Sequence, residues 1–209
     1  IPAVYDRACA QIRTDLRGWW RRRAASSDGF SPTHAELAFG LGPGDPNARD
    51  PASAPEPVRL DGRFPVRGSI DLVERNADGA VRVTDYKTGR PPTDPPEWIG
   101  GGEALQPMIY AVAGEALLGP PVYEGRLAYC TVKHAYRVDA VSTVDRAALS
   151  QVVATIDDHV RRGFLPAAPR EGACRFCEYR VRCGHGEETR LERKDHEALA
   201  SLAALRSIP

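Results

Sequence analysis

Two short stretches, Gly68-Ser69-Ile70-Asp71 and Val83-Thr84-Asp85-Tyr86-Lys87-Thr88-Gly89, constrain this chain more than any other feature. In Gly-Ser-Ile-Asp-Leu-Val the apolar Ile70 and Leu72 alternate with Asp71. That period of two predicts a strand with Asp71 projecting from the opposite face. The same period puts Val81, Val83, Asp85 and Lys87 on one side of a second strand. The link between the two, Asn76-Ala77-Asp78-Gly79, is a hairpin signal. Hairpin pairing brings the Asp71 region close to Asp85 and Lys87. Two carboxylates gathered in a partly buried place repel each other unless a cation sits between them.

An oxygen-lined site of this kind suits Mg²⁺ or Mn²⁺, ions that serve phosphodiester hydrolysis. That reaction needs an activated water, neutralised phosphoryl oxygens and a stabilised leaving oxygen. Asp71 and Asp85 would hold the ion, with the Tyr86 carbonyl as a further oxygen ligand. Lys87 would orient the water or hold negative charge as the transition state forms. Spacing alone equally suits a surface hairpin of solvated charges.

The order Asp71, Asp85-x-Lys87, then Gln106-x3-Tyr110 resembles the PD-(D/E)XK nuclease superfamily, and within it the RecB/AddB-like exonuclease branch. Gly68–Asp71 is similar to that branch's Gly-x-Ile-Asp, Asp85–Gly89 to its Asp-Tyr-Lys-Thr/Ser-Gly, and Leu105–Tyr110 to its Leu-Gln-x3-Tyr. The resemblance implies an α/β, restriction-endonuclease-like core: a mixed central sheet flanked by helices. It also implies a metal-dependent DNA exonuclease acting in double-strand-break repair, with Asp71, Asp85 and Lys87 at its centre. Gln106 and Tyr110 then sit one turn apart on the helix after the hairpin, on one face. Pro107 suits that helix's first turn. Upstream, Pro32-x3-Glu36-x2-Phe39-Gly40 resembles the run that precedes the hairpin in AddB-like chains, which implies a supporting role for Glu36 near the active site. Read without the family, Glu36 is an exposed strand acid, Tyr110 a core-edge aromatic and His34 a strand-surface histidine.

Further implications of the resemblance concern partners. DNA, as single-stranded ends, is the expected substrate, and helicase domains or subunits of a RecB/AddAB-like complex are the expected company, in a bacterial cytoplasm. The alternative is a non-catalytic DNA-binding scaffold, although inactive relatives usually lose the acid or the lysine, and all three residues are present here. No Gly-x4-Gly-Lys-Ser/Thr phosphate loop occurs, so no ATP hydrolysis is expected of these residues. The chain starts at Ile1, inside a helical pattern, and residues 1–209 read as one nuclease domain forming the C-terminal part of a longer protein.

Three of the five cysteines fall together as Cys174-x2-Cys177-x5-Cys183, within a segment spanning 163–190. Such spacing can wrap a soft metal centre in thiolates. The resemblance implies a [4Fe–4S] cluster, completed by a distant N-terminal cysteine. Cys9 is the candidate near the start, yet it lies within an amphipathic pattern (Ala8, Ile12, Leu16, Trp19) and reads as a small buried apolar residue. His185 leaves a zinc site of three thiolates and an imidazole open. Cys130 reads as a strand-core thiol. A disulfide framework is a poor reading for so few cysteines and no secretory segment.

At 209 residues, 42% hydrophobic and 27% charged, the chain has globular values. No apolar run is long enough to cross a bilayer. A formal net charge of zero argues against a DNA-coating protein but leaves room for a local basic lining. Candidates are Arg21 to Arg23, Arg161 with Arg162, and Arg175, Arg180 and Arg182. Helices are expected at 3–25, 103–118 and 145–162, with a charged helix closing the chain. Strands are expected at 34–41, 58–61, 65–75, 80–87, 124–133 and 135–141. The Pro/Gly-rich stretch 42–57 carries little signal for order, and 91–102 reads as an irregular loop that could cover the site.

Overall fold

A computed structural model of the chain describes residues 2–42, 44–92, 99–102, 104–141 and 145–208. In chain order the elements are α1 (Pro2–Ala25), β1 (Ser31–Phe39), β2 (Val58–Leu60), β3 (Phe64–Val66), β4 (Gly68–Arg75), β5 (Val81–Lys87), α2 (Gln106–Leu118), β6 (Val122–Tyr129), β7 (Val138–Val141), α3 (Arg146–Arg161), α4 (Arg180–Cys183), α5 (Glu187–Leu191) and α6 (Ala200–Arg206). Five strands form one mixed sheet in the order β1-β4-β5-β6-β7, and β2 and β3 make a separate two-stranded ribbon. β5 and β6 are parallel, and α2 is the crossover between them; the other neighbours pair antiparallel. The expected α/β class, a mixed sheet flanked by helices, is what the chain forms.

The hairpin turn forms as its residues require. Gly79 takes φ 84°, and the Asn76 side chain accepts the Ala80 N–H at 2.8 Å. β4 and β5 then pair from Arg75↔Val81 to Leu72↔Thr84. α2 is apolar all round because it is buried on two sides. Toward the sheet, Ala111 and Ala113 meet Ile70, Val73, Val81, Val83 and Val122. Away from it, Met108 packs with Leu149, Val152 and Val153 of α3 and Leu205 of α6. The contact between α2 and the sheet is close at its first turn: a Cβ on Gly125 would lie 2.8 Å from the Pro107 carbonyl oxygen.

Several expected boundaries moved for local reasons. The strand expected at 65–75 divides at Arg67. Its first part pairs with β2, where Pro65 is tolerated on a short ribbon, and its second enters the main sheet. The last β-segment begins at Val138 because Ala135 and Tyr136 both adopt left-handed φ, 53° and 57°. The closing charged helix is instead two short helices, α5 and α6. Residues 44–57, expected to carry little order, are tied down. Ala54 N–H bonds the Ala38 carbonyl, Gly40 N–H bonds Ala54 and Glu56, and Asp50 accepts from Ala35 and Ala52. Of the loop 91–102, residues 93–98 lie outside the described residues; Ile99 beyond them is fully buried.

On the sheet face covered by α1 the core is ionic. Arg82 is 1% exposed, and its register partner Glu74 is 2% exposed. Arg82 donates to Glu74 Oε2 at 2.7 Å and to Asp28 at 2.7 Å, and its guanidinium lies 4.1 Å over the Phe30 ring. Arg23 from the end of α1 also binds Glu74. Charges this deep cost several kcal/mol to desolvate and persist because they are mutually paired. Arg82→Met is therefore expected to lower stability by about 3 kcal/mol in urea unfolding, since it leaves the buried Glu74 with Arg23 as its remaining counter-charge. Asp28→Asn, at a position one-third exposed, should cost no more than about 1 kcal/mol.

Candidate active site

Beyond Leu72↔Thr84 the next hairpin pair in register would be Asp71 with Asp85, and there the main-chain ladder stops. The Tyr86 N–H donates instead to the Asp71 carboxylate, Oδ2, at 2.7 Å. On the other side of β4, the pairs Ala35↔Leu72 and Leu37↔Ile70 bracket Glu36 and Asp71. Glu36, Asp71 and Asp85 thus occupy one level across β1, β4 and β5. Glu36 holds a left-handed φ of 55° in mid-strand, a conformation that costs a non-glycine residue about 1–3 kcal/mol. Its carboxylate lies 3.4 Å from the Ser69 hydroxyl, which also reaches the Asn47 carbonyl.

The first turn of α2 supplies the other side of the cluster. Gln106 accepts from Lys87 Nζ at 2.7 Å and donates to Asp85 Oδ1 at 2.7 Å and to the Tyr110 hydroxyl at 2.9 Å. One amide therefore has its carbonyl and both N–H directions engaged, which fixes its orientation. Tyr110, one turn on, stands edge-on to Phe39 with ring centroids 6.2 Å apart. Burial raises the Tyr110 phenol above its usual value; Gln106 works against the rise, and Asp85, Asp71 and Glu36 add to it.

Asp85 is 5% exposed. Burial lifts its carboxyl above the ordinary carboxylate range, Lys87 opposes the lift, and Asp71 adds to it. Lys87 Nζ lies 2.7 Å from Asp85 Oδ2 as an ion pair, off the line of a well-aligned hydrogen bond. A buried carboxylate oxygen met only by an off-line ammonium, with a second carboxylate near enough to raise its pKa, is a donor set that a hard divalent ion fits. Mg²⁺ in particular is usually held by one or two carboxylates with water completing the shell. Among the described residues no group of three or more His, Cys, Asp or Glu side chains gathers to hold a metal ion. The oxygens available at the strand ends to hold such an ion would be those of Asp71, Asp85 and the Tyr86 carbonyl, with Glu36 at the same level of the sheet.

The other expected residues separate from this cluster. His34 bonds Asp50 at 3.2 Å on the sheet surface. Cys130, expected in a strand, lies just past β6, where its N–H bonds the Lys87 carbonyl. Its thiol is pushed up to about 11 by burial with Asp71 nearby, so it stays neutral. Cys174 and Cys183 are partly buried and Cys177 is exposed, while Cys9 is on α1. Among the described residues these thiols are not gathered into a group that could hold a metal ion. Sequence reading missed Trp19, which stands edge-on to Tyr86 at 5.4 Å from behind the sheet. Its signal was present as the last apolar position in the stripe Ile12, Leu16, Trp19.

A family model described as the PD-(D/E)XK nuclease superfamily matches residues 3–184. The chain belongs to that superfamily. No curated protein matches the chain. No helix among the described residues is long and apolar enough to cross a membrane.

A cation held at Asp71 and Asp85 would stabilise the folded state through linkage. Mn²⁺ at a hundredfold excess over its dissociation constant is expected to add about 2.7 kcal/mol of unfolding free energy, seen as a rise in melting temperature. In Asp85→Asn that rise should vanish while the metal-free protein still melts cooperatively. An undiminished rise in the variant would remove Asp85 from the ion site.

Proposed function

We propose, with superfamily membership as the premise, that this chain is a metal-dependent deoxyribonuclease hydrolysing phosphodiester bonds at the open end of the β4–β5 hairpin. The observation that carries the reading is the Gln106 amide, which joins Lys87 and Asp85 at 2.7 Å each while Asp71 is held on the Tyr86 N–H. When bound, Mg²⁺ or Mn²⁺ supplies charge neutralisation at the phosphoryl oxygens and acidifies water.

The residues divide the remaining work by position. Asp71 and Asp85 hold the cation, with the Tyr86 carbonyl as the third oxygen. Lys87, one-third exposed, presents its ammonium to the water or to charge that develops on the phosphoryl group. Gln106 keeps Lys87 and Asp85 in fixed relation, and Tyr110 in turn orients Gln106. Glu36, through Ser69, supports the Asp71 side of the site.

The narrower reading is a DNA exonuclease of the RecB/AddB kind, working on single-stranded ends in break repair beside helicase domains. Gly68–Asp71, Asp85–Gly89 and Leu105–Tyr110, in order, support it. No catalytic step is assigned to the C-terminal cysteines. Iron or zinc that copurifies in stoichiometric amount would give them a structural metal.

Cleavage of end-labelled linear DNA should require Mg²⁺ or Mn²⁺ and stop in Asp85→Asn. Lys87→Ala should lower kcat by about 10²–10³-fold, the usual loss for one electrostatic stabiliser. Covalently closed circular DNA should survive if the enzyme needs an end, and its degradation would make the activity endonucleolytic. Retained cleavage in both variants would reject the site.

A further inference from the structure

The three arginine runs expected as a basic lining do not behave alike. Arg161 is neutralised by Asp157 at 2.8 Å and Arg162 by Asp158, each one turn away on α3. On α1, Arg22 lies 4.1 Å over the Tyr136 ring and Arg23 binds Glu74. Arg21 differs. Together with Arg13 and Arg17 it is exposed, and among the described residues none of the three has a hydrogen-bond or ion-pair partner.

Their spacing is four residues each, so one guanidinium appears per turn, about 6 Å apart along the helix. Phosphates of an extended strand are separated by a comparable distance. No acidic residue stands three or four positions from any of them; those places are Cys9, Ala10, Thr14, Leu16, Gly18, Trp20, Ala24 and Ala25, or another arginine of the row. Like charges one turn apart destabilise a helix, so this row carries a small intrinsic cost that Arg161 and Arg162 avoid. The acid within this stretch, Asp15, is engaged elsewhere, accepting from the Val132 N–H at 2.8 Å and from Gln11 at 3.1 Å.

Trp20 follows Arg13 by seven positions and Arg17 by three, which puts its indole beside them. It is 64% exposed. An exposed indole beside a row of unmatched guanidiniums has the two elements of a single-strand surface: a base-stacking platform and a phosphate track. The C-terminal half of α1 is anchored at the catalytic strand, since Trp19 contacts Tyr86 and a Cβ on Gly18 would overlap the Tyr136 hydroxyl.

We propose that the face of α1 carrying Arg13, Arg17, Arg21 and Trp20 binds single-stranded nucleic acid, the arginines along its phosphates and Trp20 against a base. The inference rests on the nuclease reading above and places a strand-binding surface on the opposite side of the sheet from Asp85 and Lys87. It predicts a separable pair of effects in equilibrium binding, measured by fluorescence anisotropy in EDTA with a labelled oligodeoxythymidylate between about 50 and 200 mM salt.

Replacing Arg13, Arg17 and Arg21 together by Ala should lower the steepness of log K against log salt by about 2, at roughly 0.7 for each phosphate no longer neutralised. Trp20→Ala should weaken binding about tenfold with the slope unchanged. Arg161→Ala/Arg162→Ala should leave both affinity and slope as in the parent, and the melting temperature of each variant verifies its folding. A triple variant that folds and keeps the parent slope overturns the α1 assignment alone. A slope change with duplex but none with the single strand overturns the strand class. A parent protein that binds no oligonucleotide overturns the α1 assignment, and the nuclease reading falls only if Mg²⁺- or Mn²⁺-dependent cleavage is absent as well.

Discussion

The 2.7 Å hydrogen bond from the Tyr86 N–H to the Asp71 carboxylate replaces the main-chain bond that would otherwise carry the β4–β5 ladder one step further. A closed ladder would satisfy that N–H within the sheet and leave no use for a carboxylate at its edge. Because the side chain takes over, the two strands can part at Asp71 and Asp85 while the Tyr86 donor at the opening stays paired. The turn at Asn76–Gly79 ties the opposite end of the same hairpin, so the opening is held in place rather than frayed. The left-handed Glu36 extends the irregularity to β1, and backbone strain in mid-strand is kept where the surroundings over-determine it.

The fold class and the grouping of residues were legible for different reasons. Alternation at Ile70–Leu72 and Val81–Lys87 specifies strands, and the Asn-x2-Gly link specifies their antiparallel return, so the hairpin needs no tertiary information. The pairing of Gln106 with Tyr110 follows from helical geometry alone. What was not legible depends on where periodicity is broken. The ladder ends at Thr84 because of a side-chain bond to a backbone group, and no spacing records that. The buried Arg82–Glu74 pair reads as ordinary strand charge, since alternation marks a face without saying what covers it. Residues 44–57 have the composition of a loose loop, yet Asp50 and Ser53 bind the β1 backbone and hold them.

Charge on α1 is distributed by the same logic of coverage. Where the helix meets the sheet, Arg23 meets Glu74, and desolvation is offset by pairing. Where it meets solvent, Arg13, Arg17 and Arg21 are left without counter-charges among the described residues. With a net charge of zero, such a row must be matched by excess acid elsewhere, part of which is the carboxylate cluster at the strand ends. A neutral chain can thus carry a cationic track and an anionic centre separately, which a count of charged residues does not reveal.

The central tension lies at Asp85. A carboxylate this buried is disfavoured as the anion, and its proton affinity rises accordingly. Gln106 stabilises one oxygen with an N–H, but the other has Lys87 Nζ at contact distance and no aligned donor. Lys87 is therefore the counter-charge of the half-satisfied carboxylate and also the ammonium best placed to face a substrate. Its Nζ donates to the Gln106 carbonyl, so its protons are shared between that acceptor and Oδ2 rather than given to Oδ2 alone. A lysine saturated by its carboxylate would have little left for a phosphoryl oxygen. The amide between them resolves the conflict: it holds the pair at charge-pairing distance while leaving one acceptor and one cation incompletely satisfied, the condition under which both can still bind something else.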